Sequence, residues 1–567
     1  MKTRYFKYIS LFLAGTFALS SCEFLTRDDE TAQTSGNYYT LQGNMEAALV
    51  GVYDVLGQQW GEAGGGNCPW GLWSDVMSDD EYAGGENSLT KASGEYEMSS
   101  HDIKPTTSQI HGFWLINYKG VNRANVILQN IDNVENWESD AVKNSVVGQA
   151  KFLRAFFYFR LVRMFGNIPL ITTTVKDGSA YTVQDYKEVQ QVEPDKVYEL
   201  IFSDLESAIT TLDTLDFSVT PEKAGRASKY AAEALYARAF LYYTGYYGKT
   251  ELASVGATKD KALGYINDII NSGKFDLEAN YGDNFLLSHE YGIESIFEIS
   301  HMYKGADWGN GYMSEGNMQS LMMGPRFLDD KHALYSRGWS YGQVTQDLYD
   351  SYDPADPRRS VCAITVEELA ALDPKFTLSD KTFEQGFQHT GIFNIKYTTK
   401  RKVNPDTGKA DQEIDENTYG GAIEGTIGDP QVCNQENERI IRYADVLLME
   451  AELTESADNL NKVRQRAGLA DVAYSKEALF NERRLEFAGE GLRYWDLLRS
   501  TGAGVNIANA TIAYDRITDA KAKKGSRYTS DDVYEVGDIN PLKAGLAPIP
   551  QKEMDGVNGR YKQNPGY

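Results

Sequence analysis

Four cysteines and six histidines in 567 residues leave little from which to build a transition-metal centre or a disulfide framework, and no HExxH or clustered His/Cys set occurs. The GxSxG elbow of serine hydrolases is also absent. Gly248-Lys249-Thr250 ends like a phosphate loop, but Tyr243 stands where the first glycine belongs, and a helical pattern rather than a strand precedes it. Positive charge is scarce: 56 Lys and Arg against 81 Asp and Glu give a net charge of −25, which argues against a nucleic-acid partner. No cofactor is expected. Ca²⁺ alone stays open, because acidic clusters offer oxygen ligands, although EF-hand spacing is missing.

What is present begins with an address. Lys2, Arg4 and Lys7 precede an apolar run from Ile9 to Leu19 that is too short to span a bilayer, which reads as an export signal over 1–21. Leu19-Ser20-Ser21-Cys22 is similar to a bacterial lipobox, which makes Cys22 the acylated residue and 22–37 a polar tether. Cys68, Cys362 and Cys433 then remain, an odd number that cannot all pair, and the sequence leaves open which two, if any, form a bridge.

Hydrophobic residues make up 42% of the chain, ample for a large core in the single unit expected over 38–567. Apolar residues recur at helical spacing in Met45 to Leu56, Gln109 to Ile131, Ala141 to Phe165, Val197 to Leu212, Ser228 to Tyr243 and Lys261 to Asn271. Ala231, Ala232, Ala234, Ala237 and Ala239 form a small face beside Tyr236, Phe240 and Tyr243, the alternation by which tetratricopeptide-type helix pairs stack. The expected fold is therefore mainly α, a degenerate tetratricopeptide-like helical-repeat scaffold over 38–290 with long loops and a few short strands.

Near the C-terminus, Asn481 to Ser500 (NERRLEFAGEGLRYWDLLRS) reads as one helix with Leu485, Ala488, Leu492, Trp495 and Leu498 on its apolar face. Its charges fall at intervals of three, Glu490, Arg493, Asp496 and Arg499, so opposite signs can meet. Gly489 and Gly491 cost about 1 kcal/mol each inside a helix and point to a kink or a backbone passing close by.

That run is similar to the C-terminal signature of the SusD/RagB family. RYADVLLMEAE (442–452) and NKVRQRAGL (461–469) precede it in the family's order, LAPIP (546–550) and QNPGY (563–567) follow it, and FLRAFFYFRLVRMFGNIPL (152–170) matches an N-terminal block. The resemblance implies a lipoprotein anchored in the outer membrane and facing outward. It would bind a glycan and cover a SusC-like TonB-dependent transporter without cutting bonds. Some family members bind peptides instead, so a peptide-binding lid is the first alternative.

Two interruptions of the helical pattern carry the candidate ligand residues. Gly61 to Ser88 places Trp70, Trp73 and Tyr82 among Asp75, Asp79 and Asp80: aromatic rings suit sugar faces, and carboxylates accept hydroxyl hydrogens. The bland alternative puts both tryptophans in the core. His301 to Tyr341 offers Trp308, Tyr312, Trp339 and Tyr341 as a second platform, with Arg337 as donor. Over the loop-rich region, 291–440, Asp373 to Asn437 is expected to form a few strands, with Tyr397 at the ligand surface; signature helices and tail fill 441–567. A surface glycosidase is the second alternative, using Asp79 or Asp80 with Asp347 or Asp350; the same clusters are where Ca²⁺ would sit.

Overall fold

The computed structural model describes residues 38–58, 70–85, 93–174, 189–212, 224–301, 316–326, 334–335, 338–373, 387–407, 409–414, 434–523, 525 and 539–567. Cys22 with its leader and tether, Cys68, Cys433, Trp308, Tyr312 and Arg337 lie outside them. No helix among the described residues is long and apolar enough to cross a membrane.

Seven helices of the first half are used below: α1 (Gln42–Gly57), α2 (Trp70–Val76), α3 (Ser108–Asn130), α4 (Asp140–Phe165), α5 (Pro194–Thr211), α6 (Lys229–Tyr247) and α7 (Lys259–Asn271). Local chemistry sets their ends. Ser139 and Ser228 accept from Val142 and Ala231 at the N-termini of α4 and α6, Pro194 opens α5, and left-handed Gly248 closes α6. Gly248-Lys249-Thr250 is thus a helix end.

Packing follows the chain, with α1 on α3, α3 on α4, α4 on α5, α5 on α6 and α6 on α7. All five alanines of the small face of α6 are buried, and so are Tyr236, Phe240 and Tyr243. Small and bulky positions interdigitate between neighbouring helices, as the repeat pattern requires. The fold is mainly helical and tetratricopeptide-like.

Four of the C-terminal helices are used below, α8 (Tyr443–Thr454), α9 (Lys476–Glu486), α10 (Arg493–Thr501) and α11 (Ile507–Ala522). Strands β1 (Glu81–Gly84), β3 (Tyr341–Val344), β5 (Ile392–Asn394) and β4 (Ala363–Thr365) form one sheet in that spatial order, and β2 (Ser295–Ile299) pairs with β6 (Glu438–Arg442). The sheet joins the two candidate ligand stretches, because β1 runs antiparallel to β3 with Tyr82 opposite Gln343 and Gly84 opposite Tyr341.

The signature is two helices and not one. Between α9 and α10 the chain turns through 487–492, with Gly489 at φ 76° and Gly491 at φ 72°. A Cβ on Gly491 would stand 2.7 Å from the Cα of Gly71, so the expected close backbone is the start of α2. Three hydrogen bonds fasten that crossing: Gly491 N–H donates to Asp75 (2.8 Å), Ser74 Oγ to the Gly491 carbonyl (2.9 Å) and Trp495 Nε1 to Ser74 Oγ (2.9 Å).

The buried charges of the two helices find most of their partners far off in sequence. Arg358 reaches Asp356, Glu482 and Glu486; Arg442 reaches Glu294, Glu486 and Glu490; Arg466 reaches Glu294 and Glu486. On another side of α9, Arg483 bridges Asp445 and Asp496, which also hold Arg238 and Arg499. Of the i,i+3 pairs expected along the signature, Asp496–Arg499 forms, at 2.8 Å. Glu490 turns instead to Arg442 and Lys396, and Arg493 to Asp79.

His101 gives the fold a pH dependence. It is buried at φ 58°, between Tyr494 and Tyr514, with Nε2 2.7 Å from the Met77 carbonyl. Burial, with Lys521 nearby, holds its pKa down to about 3. Below the unfolded value of about 6.5 the unfolded chain takes up a proton that the folded chain refuses, so stability falls as pH falls. In urea titrations at pH 6.5 and 4.5 the wild type is expected to lose about 2–3 kcal/mol more than His101→Asn, since asparagine tolerates the backbone. Equal losses would remove His101 as the cause.

Candidate functional site

Two aromatic surfaces result from this arrangement. The first is a row at the edge of the four-stranded sheet: Trp73 meets Tyr341 edge-on at 5.9 Å, and Tyr341 meets Trp339 at 6.4 Å. Trp73 and Tyr341 are buried, and the half-buried Trp339 ends the row toward solvent.

Trp339 is held by its backbone. Its N–H donates to the Leu321 carbonyl (2.8 Å), Gly338 N–H to Pro325 (2.9 Å) and Ser340 N–H to Gly324 (3.0 Å). Ser340 takes a left-handed φ of 57° while its hydroxyl accepts from Arg326 N–H at 2.6 Å. A non-glycine residue at positive φ costs about 1–2 kcal/mol, and such strain is characteristic of positions where geometry matters to function. The result is a ring fixed in place before any ligand arrives, which lowers the ordering cost of stacking.

The second surface is a cleft where α1, α3, α4 and α6 meet the 487–492 turn and β6. Trp70 lines it, half-buried and stacked on Phe113 at 3.9 Å between centroids and 30° between planes. Arg160 lies 5.1 Å over Phe113, and Arg163 sits between Phe159 (4.1 Å) and Trp495 (4.6 Å).

Several of the expected ligand residues turn out to belong to the scaffold. Trp73, Asp79 and Asp80 are 0% exposed and Tyr82 is 1%. Gly61 to Ser88 is therefore no open loop where it is described: it contains α2 and β1. Tyr82 donates its hydroxyl to the Lys521 carbonyl. Both oxygens of Asp79 are taken by Arg493 (2.7 and 2.9 Å), and Arg516 adds a bond at 3.0 Å; Asp80 is held by Arg484 at 2.6 Å. Burial by itself would raise the Asp79 pKa, but Arg484, Arg493 and Arg516 outweigh it and hold the carboxyl well below the usual range.

Asp347 is engaged by Arg484 and Arg516, and Asp350 by Lys523. The carboxylates considered for glycosidase chemistry or for Ca²⁺ thus neutralise arginines and lysine. Tyr397, expected at the ligand surface, is also buried, and Tyr341 serves as the inner support of Trp339 rather than its equal. Cys362 is a buried free thiol 3.6 Å from the Tyr281 hydroxyl.

Sequence reasoning missed the cleft arginines. Arg160 and Arg163 sit with Arg154, which pairs with Asp204, in a helical stretch whose other residues are aromatic or apolar, FLRAFFYFRLVRMF. Charges in such a helix must be paired or used, and that signal was readable.

With the geometry in place, comparison decides the family. The SusD family model matches residues 294–567, and a second model, described as starch-binding associating with outer membrane, matches 73–241. The chain belongs to the SusD family. Its fold is similar to surface glycan-binding protein A from Bacteroides thetaiotaomicron in complex with laminarihexaose, at 26% identity, with a TM-score of 0.71 over 93% of this chain and 100% of that one. It is also similar to a laminarin-binding SusD-like protein, at 28% identity and a TM-score of 0.69 over 93% and 100% of the two chains. Among curated proteins, a SusD-like protein of Formosa agariphila is 23% identical over 531 residues, covering 85% of this chain and 88% of that one. As a SusD-family chain, it presents both an aromatic edge at Trp339 and an arginine-bearing cleft at Trp70.

Proposed function

We propose that this SusD-family protein captures an oligo- or polysaccharide at the cell surface and passes it, uncut, to a SusC-like TonB-dependent transporter, with acylated Cys22 tethering it to the outer membrane. The observation that carries the reading is the braced, half-buried Trp339 at the end of the Trp73–Tyr341 row. Such a ring offers an apolar face to a sugar at little ordering cost. Two structural neighbours support a glycan as the ligand class, and they make a laminarin-type glucan the first to try.

Release without cleavage is supported by the state of the carboxylates. A glycosidase needs one carboxyl as acid and another as base or nucleophile at the substrate. Asp79 and Asp80 have no exposed atom, and their arginine partners hold them. Trp308, Tyr312 and Arg337, outside the described residues, stay candidate contacts on the sequence alone, and Trp70 remains a candidate contact at the cleft.

Affinity electrophoresis against a panel of polysaccharides and peptides tests this reading. One glycan is expected to retard the protein, and Trp339→Ala to weaken that binding roughly tenfold or more with an unchanged melting temperature. Wild-type retardation of the variant would remove Trp339 from the site, and retardation by peptides alone would make the protein a peptide-binding lid.

A further inference from the structure

The cleft beside Trp70 shares no lining residue with the Trp339 edge, and its chemistry differs. On its far side a smaller void lies against α8, α9 and α10, and Arg163 and Arg238 line both. Arg238 is neutralised by Asp445 at 2.6 Å. Among the described residues Arg163 forms no ion pair: its Nε donates weakly to the Phe159 carbonyl at 3.4 Å, and its two terminal nitrogens have no acceptor there. Its exposure is only 8%.

Leaving such a cation in the interior is costly. A buried charge is ordinarily paired and hydrogen-bonded, and truncation to an apolar residue of similar length would be neutral or stabilising. Burial, with Arg238 and Arg160 nearby, already pulls the Arg163 pKa down to about 9. The two carboxylates on the cleft wall do not relieve it. Glu490 is occupied by Arg442 and Lys396, and Glu438 accepts from Gln319.

We infer that the Trp70–Arg163 cleft is a second binding site, for a small molecule that carries one carboxylate on a ring-sized body. The planar guanidinium, sandwiched between Phe159 and Trp495, keeps two parallel N–H donors that match a carboxylate's two oxygens. Trp70 and Phe113 supply a flat apolar wall for the ring. A long polyanion is disfavoured by the net charge of −25, which a single carboxylate at close range feels far less than a chain of them.

Tryptophan fluorescence and calorimetry of the soluble protein, titrated with glucuronate and benzoate, test the inference, with glucose and acetate as controls lacking the charge or the ring. At least one of the two probes is expected to bind, with neither control doing so. Arg163→Met is expected to weaken that binding at least tenfold while its melting temperature stays level or rises and polysaccharide binding at the Trp339 edge is unchanged. Ile116→Trp, which fills the cleft from its half-buried wall and keeps the guanidinium, is expected to abolish binding as well. Silence of both probes on the wild type, equal binding of a control, or unaltered probe affinity in either variant would overturn the assignment.

Discussion

Arg358→Met is expected to destabilise the protein by at least about 3–5 kcal/mol, the usual cost of removing one partner from a buried ionic cluster. Arg358 is 0% exposed and donates to Asp356, Glu482 and Glu486 at 2.6–3.0 Å. Glu482 keeps Arg464, and Glu486 keeps Arg442 and Arg466. Among the described residues Asp356 keeps no cation, so a carboxylate is stranded in the interior. Urea unfolding reads the effect directly, with Arg358→Lys expected between wild type and Arg358→Met because an ammonium cannot reproduce the fork. A midpoint unchanged in both variants would mean that the cluster does not hold α9 in place.

Trp495→Ala is the second large effect, expected at about 3–5 kcal/mol. The ring is 2% exposed, stacks near Trp70 at 5.7 Å, carries the Arg163 guanidinium on one face and donates to Ser74. Its loss leaves a cavity, removes the bond that ties α10 to α2, and takes away half of the Arg163 sandwich. The melting temperature should drop by several degrees, and the carboxylate probes should lose affinity together with it. Full stability in this variant would show that α2 is held to the signature by the backbone bonds of Gly491 alone.

The helical scaffold was legible because its signal is local. A 3.6-residue repeat of apolar side chains is written into each segment, and all six expected helices occur, within a few residues of their ends. The break at 487–492 was half-legible: Gly489 and Gly491 announced a close backbone, but the apolar spacing of Leu485, Ala488, Leu492 and Trp495 carried straight across the turn and imitated one helix. What could not be read was the destination of the charges. Asp79 and Asp80, beside two tryptophans, look like acceptors for hydroxyl groups until Arg484 and Arg493, more than 400 positions away in the chain, are seen to occupy them.

The candidate site followed the same division. Grouping Trp339 with Tyr341 rested on adjacency and agrees with the structure's row. Bringing Trp73 behind Tyr341 required the β1–β3 pairing, a contact over some 260 residues that no local pattern encodes. Burial then separates ring from ring: the same aromatic composition supplies both the inner support and the outer face, and only the fold says which is which.

Calorimetric titration of the lipid-free protein, begun after Cys22, with laminarin oligosaccharides of increasing length, and with reducing ends measured in every mixture, bears most directly on the function. Capture without cleavage predicts saturable heat that strengthens with chain length, a constant number of reducing ends, and loss of the heat in Trp339→Ala. Newly formed reducing ends, or no heat from these glucans or from any other glycan of the panel, would contradict it.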